Sequence, residues 1–438
     1  MRNTRTRSTR IAHIDSINRL PSTMPSKRTS NDIDFVLPTQ YNVQPNRIAK
    51  EPPPEPWPLP DFTPLNIHDF NDHGKPNLPP DLNLHDPFAL FSQFFTDDIM
   101  DRLVEWTNTY AGLHPAKEDE GHPEHPRKWT RTCKEELYAY LAVLIHMGIS
   151  AEPCIEDYWG DLESHGSKHI VSKYIGLCRF QQLDRYFRCT TPWPKGDPTP
   201  RTTFDRVAEL AEHLRLTCRK LYNPGTHLAV DETIERFTGR ASEIVNIPTK
   251  PTPEGFKIWV LANEGYVLDW LWHARGDKGG PVDLDETFTK EEGFSKTQAV
   301  VLDLLTQRDA ESNEPLYLPG KHIVWLDNLF TSVKLLTRLR ELGIGGAGTV
   351  RTTRTKREEQ GDIEGDVLAV SVGRKKKVPT EQIDQRLVNL KLTHSAQLQW
   401  GTLYGATLKD GQVMEFAWKD ANVVLFMSTV DDGKKCSF

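Results

Sequence analysis

Between the dipeptide Pro224-Gly225 and Val350 the apolar residues fall in the order β, β-β, α, β, α, β. His227 to Ile234 is a short apolar run, Phe256 to Ala262 a second and Tyr266 to Ala274 a third, the last two joined by the turn Asn263-Glu264-Gly265. A helical pattern over Thr297 to Gln307, the run His322 to Asp327, a helix from Thr331 to Leu342 and a strand from Ile344 to Val350 follow. Strands that alternate with helices need crossover connections, so this order predicts an α/β fold with a mixed sheet.

The flanking text has other patterns. Residues 88–222 read as mainly α. Thr96 with Asp97 and Asp98 opens a helix bearing Ile99, Leu103, Trp106 and Tyr110. Cys133 to Met147 carries the stripe Leu137, Tyr140, Leu141, Leu144 and Ile145, and further helices are expected over about 167–187 and 202–221. Beyond 351 the text is basic and then β-like, with alternation in Val367 to Val372 and Gln397 to Tyr404. A hairpin-like pair, Val413 to Trp418 and Val423 to Ser428, turns at Lys419-Asp420-Ala421-Asn422.

At the other end, residues 1–30 hold seven basic residues against the single acid Asp15, which reads as an unfolded basic arm. An organelle transit peptide is the alternative, weakened by the lack of an apolar face. Residues 51–90 contain 11 prolines and read as a linker. The expected organisation is therefore 1–87 disordered arm and linker, 88–222 helical module, 223–350 α/β core, and 351–438 basic loop with a β-rich insertion module.

Charge and cysteine content exclude several classes. With 54 Lys plus Arg against 61 Asp plus Glu, a net charge of −7 rules out a globally basic nucleic-acid coat and leaves only local basic patches. Six cysteines without a C-x-x-C argue against a zinc ribbon or a secreted disulfide framework and favour a reduced, intracellular protein. The pair His122 and His125 lacks cysteine partners and reads as a loop. The longest apolar run, Leu137 to Ile149, has 13 residues, short of the roughly 20 that span a bilayer, so no membrane partner is expected.

Two acids are placed where strands are expected to end, Asp231 in Ala229-Val-Asp-Glu-Thr-Ile234 and Asp327 in Val324-Trp-Leu-Asp-Asn-Leu-Phe-Thr-Ser332. A carboxylate inside an apolar run is expected to be desolvated and so paired or metal-bound, and two on neighbouring strands are candidate ligands for Mg²⁺. The alternative is that each acid caps the helix that follows.

The stretch from about 88 to 430 resembles the piggyBac-type transposases. The resemblance rests on Tyr158-Trp159, on Arg179-Phe180 with Leu183 and Arg185-Tyr186-Phe187, and on Leu228-Ala-Val-Asp231-Glu232 with Phe237-Thr-Gly-Arg240. Lys250-Pro251, Gly255-Phe-Lys257 with Trp259, Leu326-Asp327-Asn328-Leu-Phe-Thr-Ser332 and Gly348-Thr-Val-Arg351 complete it. It implies a ribonuclease-H-like core with catalytic, metal-binding acids on the first and fourth strands, falling on Asp231 and Asp327. It also implies Mg²⁺ (or Mn²⁺) as cofactor, DNA as partner, a homodimer and a nuclear location. The chemistry implied is cut-and-paste transposition by metal-dependent cleavage and strand transfer at DNA phosphodiesters, which needs three carboxylates around two ions.

The family's third acid, on a helix opened by a Gly-Gly-Val-Asp type motif, has no counterpart before Phe438, and Asp420 reads as a turn residue. The expectation is thus a C-terminally truncated transposable element-derived protein without full catalytic capacity. The alternatives are a domesticated DNA- or protein-binding scaffold without catalysis, and a fragment without selected function. A plain nuclease would need Asp431 or Asp432 as the last acid, on a stretch too short for a packed helix. Candidate DNA contacts are Arg240 and Lys257 beside the acids, and the clusters Arg351, Arg354, Lys356, Arg357 and Arg374, Lys375, Lys376, Lys377. A solvated loop neutralised by Glu358, Glu359, Asp362, Glu364 and Asp366 explains the clusters equally well.

Overall fold

The computed structural model describes residues 51–68, 73–115, 128–160, 169–194, 196–199, 202–275, 279–309, 312–350, 383–408 and 411–434. The basic arm, the histidines at 122 and 125, the alternation at 367–372 and Cys436 lie outside them.

A two-stranded ribbon joins β1 (Lys75–Pro76) to β2 (Tyr222–Asn223) and brackets the helical part. That part holds α1 (Pro87–Phe94), α2 (Asp97–Leu113), α3 (Lys134–Ile149), α4 (Leu177–Tyr186) and α5 (Ala208–Lys220). Thr96 in extended conformation precedes α2, with Asp97 and Asp98 at the positive end of the helix dipole. Ile99, Met100, Leu103 and Trp106 of α2 are buried against Leu137, Tyr140, Val143 and Met147 of α3 and Phe180 and Leu183 of α4. In α3 the phase differs from the expected stripe. Ile145 is 52% exposed while Val143 and Met147 face the core.

Two helices are shorter than their patterns. Gly176 is extended at φ −77°, ψ 148° and starts α4 there, and among the described residues of the expected helix the 3-10 turn Val171–Lys173 precedes it. Val207, at φ −125°, ψ 3°, separates α5 from the 3-10 turn Phe204–Arg206. The carboxylate of Asp269 ties α5 to the sheet, accepting from Arg215 Nε at 2.7 Å and from Arg219.

The core sheet contains β3 (His227–Arg236), β4 (Val245–Asn246), β5 (Glu254–Asn263), β6 (Tyr266–Ala274), β7 (Gly280–Pro281), β8 (Ile323–Leu326) and β9 (Gly345–Thr349). It continues through β10 (Leu403–Thr407), β11 (Met414–Lys419) and β12 (Val423–Ser428). The strand order is β10-β11-β12-β9-β8-β3-β5-β6-β7, with β4 on β5. The pairs β3·β8 and β8·β9 are parallel, and β3·β5, β5·β6 and β9·β12 are antiparallel.

The turn between β5 and β6 is two residues, Glu264 at φ 49° and Gly265 at φ 85°. Positive φ at both central positions matches the right-handed twist of a tight hairpin. The strands after 350 do not stand apart. β12 hydrogen-bonds to β9, pairing Phe426 with Thr349, so the β-rich segment extends the core sheet.

One face of the sheet is covered. Helices α6 (Glu286–Lys290), α7 (Lys296–Leu305) and α8 (Val333–Glu341) lie in the crossovers, and α9 (Gln385–Asn389) follows them. Val300, Val301, Leu302, Leu304 and Leu305 are all buried, each worth roughly 1.5–3 kcal/mol against exposure. That burial, more than the propensity of the β-branched pair Val300-Val301, holds α7 in place. Ser295 caps α7 and Ser332 caps α8, the latter accepting from Leu335 N, and Gln298 Nε2 reaches Ser332 Oγ at 2.7 Å to tie the two helix starts. α8 approaches β9 so closely that a Cβ on Gly346 would meet Leu336 Cδ2 at 2.7 Å.

The proline-rich stretch read as a spacer carries anchoring contacts. Trp57 Nε1 donates to Gly405 O at 2.7 Å, Tyr404 Oη to Pro54 O at 2.7 Å, and Leu65 N to Thr429 O at 2.8 Å. Trp57 also packs on Tyr404, ring centroids 4.8 Å apart. Proline removes donors from residues 51–60, so a carbonyl and one indole make the attachments there, and main-chain N–H groups take part only from Leu65 on.

Candidate metal and DNA site on the open sheet face

The opposite face of the sheet is open around a trough of about 1270 Å³. On β3, Leu228 and Val230 point into the core while Ala229, Asp231 and Thr233 are exposed. Parallel pairing sets Ala229 beside Trp325 and Val230 beside Leu326, and Trp325 beside Ala347. Alternation of side chains then puts Asp231, Asp327 and Thr349 in one row on the open face. Thr349 Oγ1 lies 3.4 Å from Asp327 Oδ1, as that row requires. Both acids line the trough.

Two sequence-based premises need correction. Asp231 lies in the middle of the ten-residue strand β3, with no helix after it, and Asp327 immediately follows β8. Neither carboxylate caps a helix: Ser332 caps α8, and only the main-chain carbonyl of Asp327 accepts from Phe330 N and Thr331 N. Nor are the two acids desolvated, because both are exposed. The open face keeps them in water, which is why an apolar run could carry them.

Asp231 Oδ1 accepts from Glu232 N at 2.7 Å. Glu232 pairs with Lys250 at 3.1 Å, and this bond holds the Lys250 ammonium above its ordinary value, with Asp231 and Asp327 adding attraction. Lys257 lies 3.8 Å over the Trp259 ring. Burial pushes its ammonium down, against the pull of Glu232 and Asp231. Neither predicted cation lines the trough: Lys257 is buried over Trp259 on the covered side of β5, and Arg240 is exposed on the loop after β3. Arg351, Arg354, Lys356, Arg357, Arg374, Lys375, Lys376 and Lys377 lie outside the described residues.

Sequence reasoning missed the aromatic part of the trough and weighed Asp431 and Asp432 only as the last acid of a plain nuclease. Trp325, Trp400, Trp418, Phe416 and Phe426 form its apolar surface, and Asp431 and Asp432 join the two strand acids on its lining. No Lys or Arg is among the described lining residues. Asp431 accepts from Ser428 Oγ at 2.9 Å, and Asp432 from Lys434 N at 2.9 Å. Among the described residues, no group of three His, Cys, Asp or Glu is placed to hold a metal ion. Asp420 sits in the turn between β11 and β12 and accepts from Trp400 Nε1 at 3.3 Å.

Two exposed carboxylates on adjacent parallel strands fit a hard divalent cation, since Mg²⁺ is commonly held by one or two carboxylates with its remaining positions filled by water and phosphate oxygens. Strand order, crossovers and acid placement define a ribonuclease-H-like α/β protein. The chain belongs to the Transposase IS4 family, whose model it matches over residues 86–438.

The piggyBac-type resemblance read from the motifs is borne out by curated relatives. PiggyBac transposable element-derived protein 2 of Homo sapiens is 26% identical over 290 residues, 62% of this chain and 41% of the relative. PiggyBac transposable element-derived protein 3 of Homo sapiens is 22% identical over 346 residues, 75% of this chain and 50% of the relative. The chain spans about half the length of these relatives. The cryo-EM structure of a piggyBac transposase synaptic complex with hairpin DNA has the same fold, with a TM-score of 0.55 at 23% identity over 82% of this chain and 63% of that one. Among the described residues no helix is long and apolar enough to cross a membrane.

Proposed function

We propose that this chain carries a piggyBac-type DNA-handling core in which Asp231 and Asp327 together hold Mg²⁺ or Mn²⁺ against a DNA phosphodiester. The observation that carries the reading is the placement of both exposed carboxylates in neighbouring register on the open face of the sheet. What the ion supplies when bound is polarisation of a phosphodiester oxygen and a positive charge in an otherwise acidic trough. Asp231 and Asp327 fix its position, and Thr349 orients Asp327. With two strand acids and no third carboxylate converging on them among the described residues, the site binds DNA and cleaves it poorly. DNA as partner, a homodimer and a nuclear location belong to this reading.

A scaffold without chemistry is the second reading, favoured by the same lack of a converging third acid. Duplex binding by the purified chain, measured in MgCl₂, MnCl₂ and EDTA alongside strand cleavage, separates the two. Binding that strengthens with the ion, and loses that gain in Asp231→Asn, supports the metal site. Ion-independent binding unchanged by Asp231→Asn or Asp327→Asn supports the scaffold. Robust hairpin-forming cleavage would refute the incomplete catalysis proposed.

A further inference from the structure

The trough is larger and more apolar than one ion and one phosphate need. Its volume of about 1270 Å³ exceeds the ~300–1,000 Å³ typical of small-ligand sites. Trp400 is 75% exposed and Trp325 44% exposed on its surface, and Phe416 and Phe426 line it from β11 and β12. An aromatic surface of this extent left to water marks a docking site for a chain segment.

The rim is of one sign. Asp231, Asp327, Asp431 and Asp432 line the trough, and none of them forms an ion pair among the described residues. Lys250, whose ammonium is attracted by Asp231 and Asp327, is paired with Glu232. A DNA strand without an ion would meet like charges here. The surface calls instead for a segment that brings cations to the rim and aliphatic side chains to the indoles.

Residues 1–50, outside the described residues, contain such a segment. Residues 1–30 carry seven basic residues against Asp15, and Ile11, Ile14 and Ile17 fall between Arg10 and Arg19. The stretch 351–377 matches less well, because its eight cations stand against five acids. The chain enters the described structure at the right edge of the sheet: Pro54 O accepts from Tyr404 Oη of β10 at 2.7 Å, and Pro64 lines the trough. From β10 to β8 the sheet crosses β11, β12 and β9, a distance of ~19 Å, whereas residues 31–50 can reach up to ~70 Å.

We propose that the trough docks this chain's own basic arm, residues 1–30, with arginines on the aspartates of the rim and Ile11, Ile14 and Ile17 on the exposed indoles. Where the metal reading of Asp231 and Asp327 holds, arm and ion exclude each other. The docking itself does not depend on that reading.

The experiment is fluorescence anisotropy of a labelled peptide of residues 1–30 with the full chain, in EDTA and without DNA, so that failure of the docking and failure of the metal reading are seen separately. The unmodified chain is compared with a chain whose own arm is released by Arg5→Glu, Arg7→Glu, Arg10→Glu and Arg19→Glu. A tether of this length gives an effective concentration of about 1 mM, so a peptide with a Kd of about 100 µM is predicted to bind the released chain about tenfold more tightly than the unmodified one. In the released chain Trp400→Ala is predicted to weaken the peptide about tenfold, and Asp431→Asn with Asp432→Asn about fivefold. A peptide carrying Ile11→Ser, Ile14→Ser and Ile17→Ser is predicted to bind at least tenfold more weakly.

The proposal is overturned if the peptide does not bind the released chain, or binds both chains equally. It is also overturned if neither the Trp400 nor the aspartate variant weakens binding, if the serine peptide binds as the natural one does, or if a peptide of residues 351–377 binds more tightly. Blocking that grows with chain concentration would place the arm on a second copy and overturn docking within one chain. Trp400 is exposed, so its variant reads the surface without disturbing the core.

Discussion

Glu415 offers a sharp test of how the last strands join the sheet. It sits on β11, 1% exposed, beside Phe416 of the open face but on the covered side. Oε2 accepts from Asp384 N at 2.9 Å, while Oε1 is buried without a hydrogen-bond partner among the described residues. Burial pushes its carboxyl up from 4.5 to about 7, and the neighbouring Asp384 charge adds to the shift. A folded-state value above the unfolded one means that the native protein holds a proton the unfolded chain has lost. Stability is therefore complete below about pH 4.5 and falls as pH rises through about 7. Each pH unit in that window adds about 1.4 kcal/mol, so the whole is of order 3 kcal/mol.

Glu415→Gln keeps the shape and the acceptor for Asp384 N but cannot ionise. Urea unfolding followed by tryptophan fluorescence, with Trp400 and Trp418 at the same end of the sheet, gives the stability difference between variant and unmodified chain at each pH. That difference is predicted to shift in favour of the variant by about 3 kcal/mol between pH 4.5 and pH 8. A constant difference across this range would show that Glu415 is not buried as described, and with it that β11 is not packed against the core.

Other perturbations test the joints of the molecule. Asp269→Asn takes the buried carboxylate from Arg219 and leaves Arg215 only its pair with Glu212, and is predicted to cost about 3 kcal/mol, read as a lower thermal midpoint, whereas an unchanged midpoint would show that α5 is held by other contacts. Tyr404→Phe removes the bond to Pro54 O and is predicted to cost about 1 kcal/mol and to speed proteolysis within residues 51–68. Equal proteolysis rates would mean that Trp57 and the main-chain bonds near Leu65 anchor the segment without Tyr404.

Much of the core was legible because strand and helix periods differ. The limits of β5, β6 and β12 fall within a few residues of the expected runs, and the Glu264-Gly265 pair marked its hairpin. Within the apolar run of α3 the helical phase was not legible, since Leu144, Ile145 and Val143 are equally apolar and only packing against α2 selects Val143. The starts of α4 and α5 were hidden because Gly176 and Val207 interrupt patterns that continue on both sides.

At the site, strand order made Asp231 and Asp327 neighbours in the sequence reading, but their solvent exposure was not legible. A sequence shows that a strand alternates or is apolar, not which sheet face lacks a covering helix. The approach of Asp431 and Asp432 to the trough depends on β12, just before them, pairing with β9, which is remote in sequence, and no local signal marks that pairing. Trp57 was the signal that the proline-rich stretch docks, as an indole in a spacer needs an apolar partner.

Titration of the purified chain with Mn²⁺, followed by the loss of the free-ion electron paramagnetic resonance signal, tests the paired acids most directly. One ion bound per chain, released by Mg²⁺ and abolished by either Asp231→Asn or Asp327→Asn, is the predicted result. Uptake that survives both substitutions, or no uptake by the unmodified chain, would contradict a shared ion between the two strands.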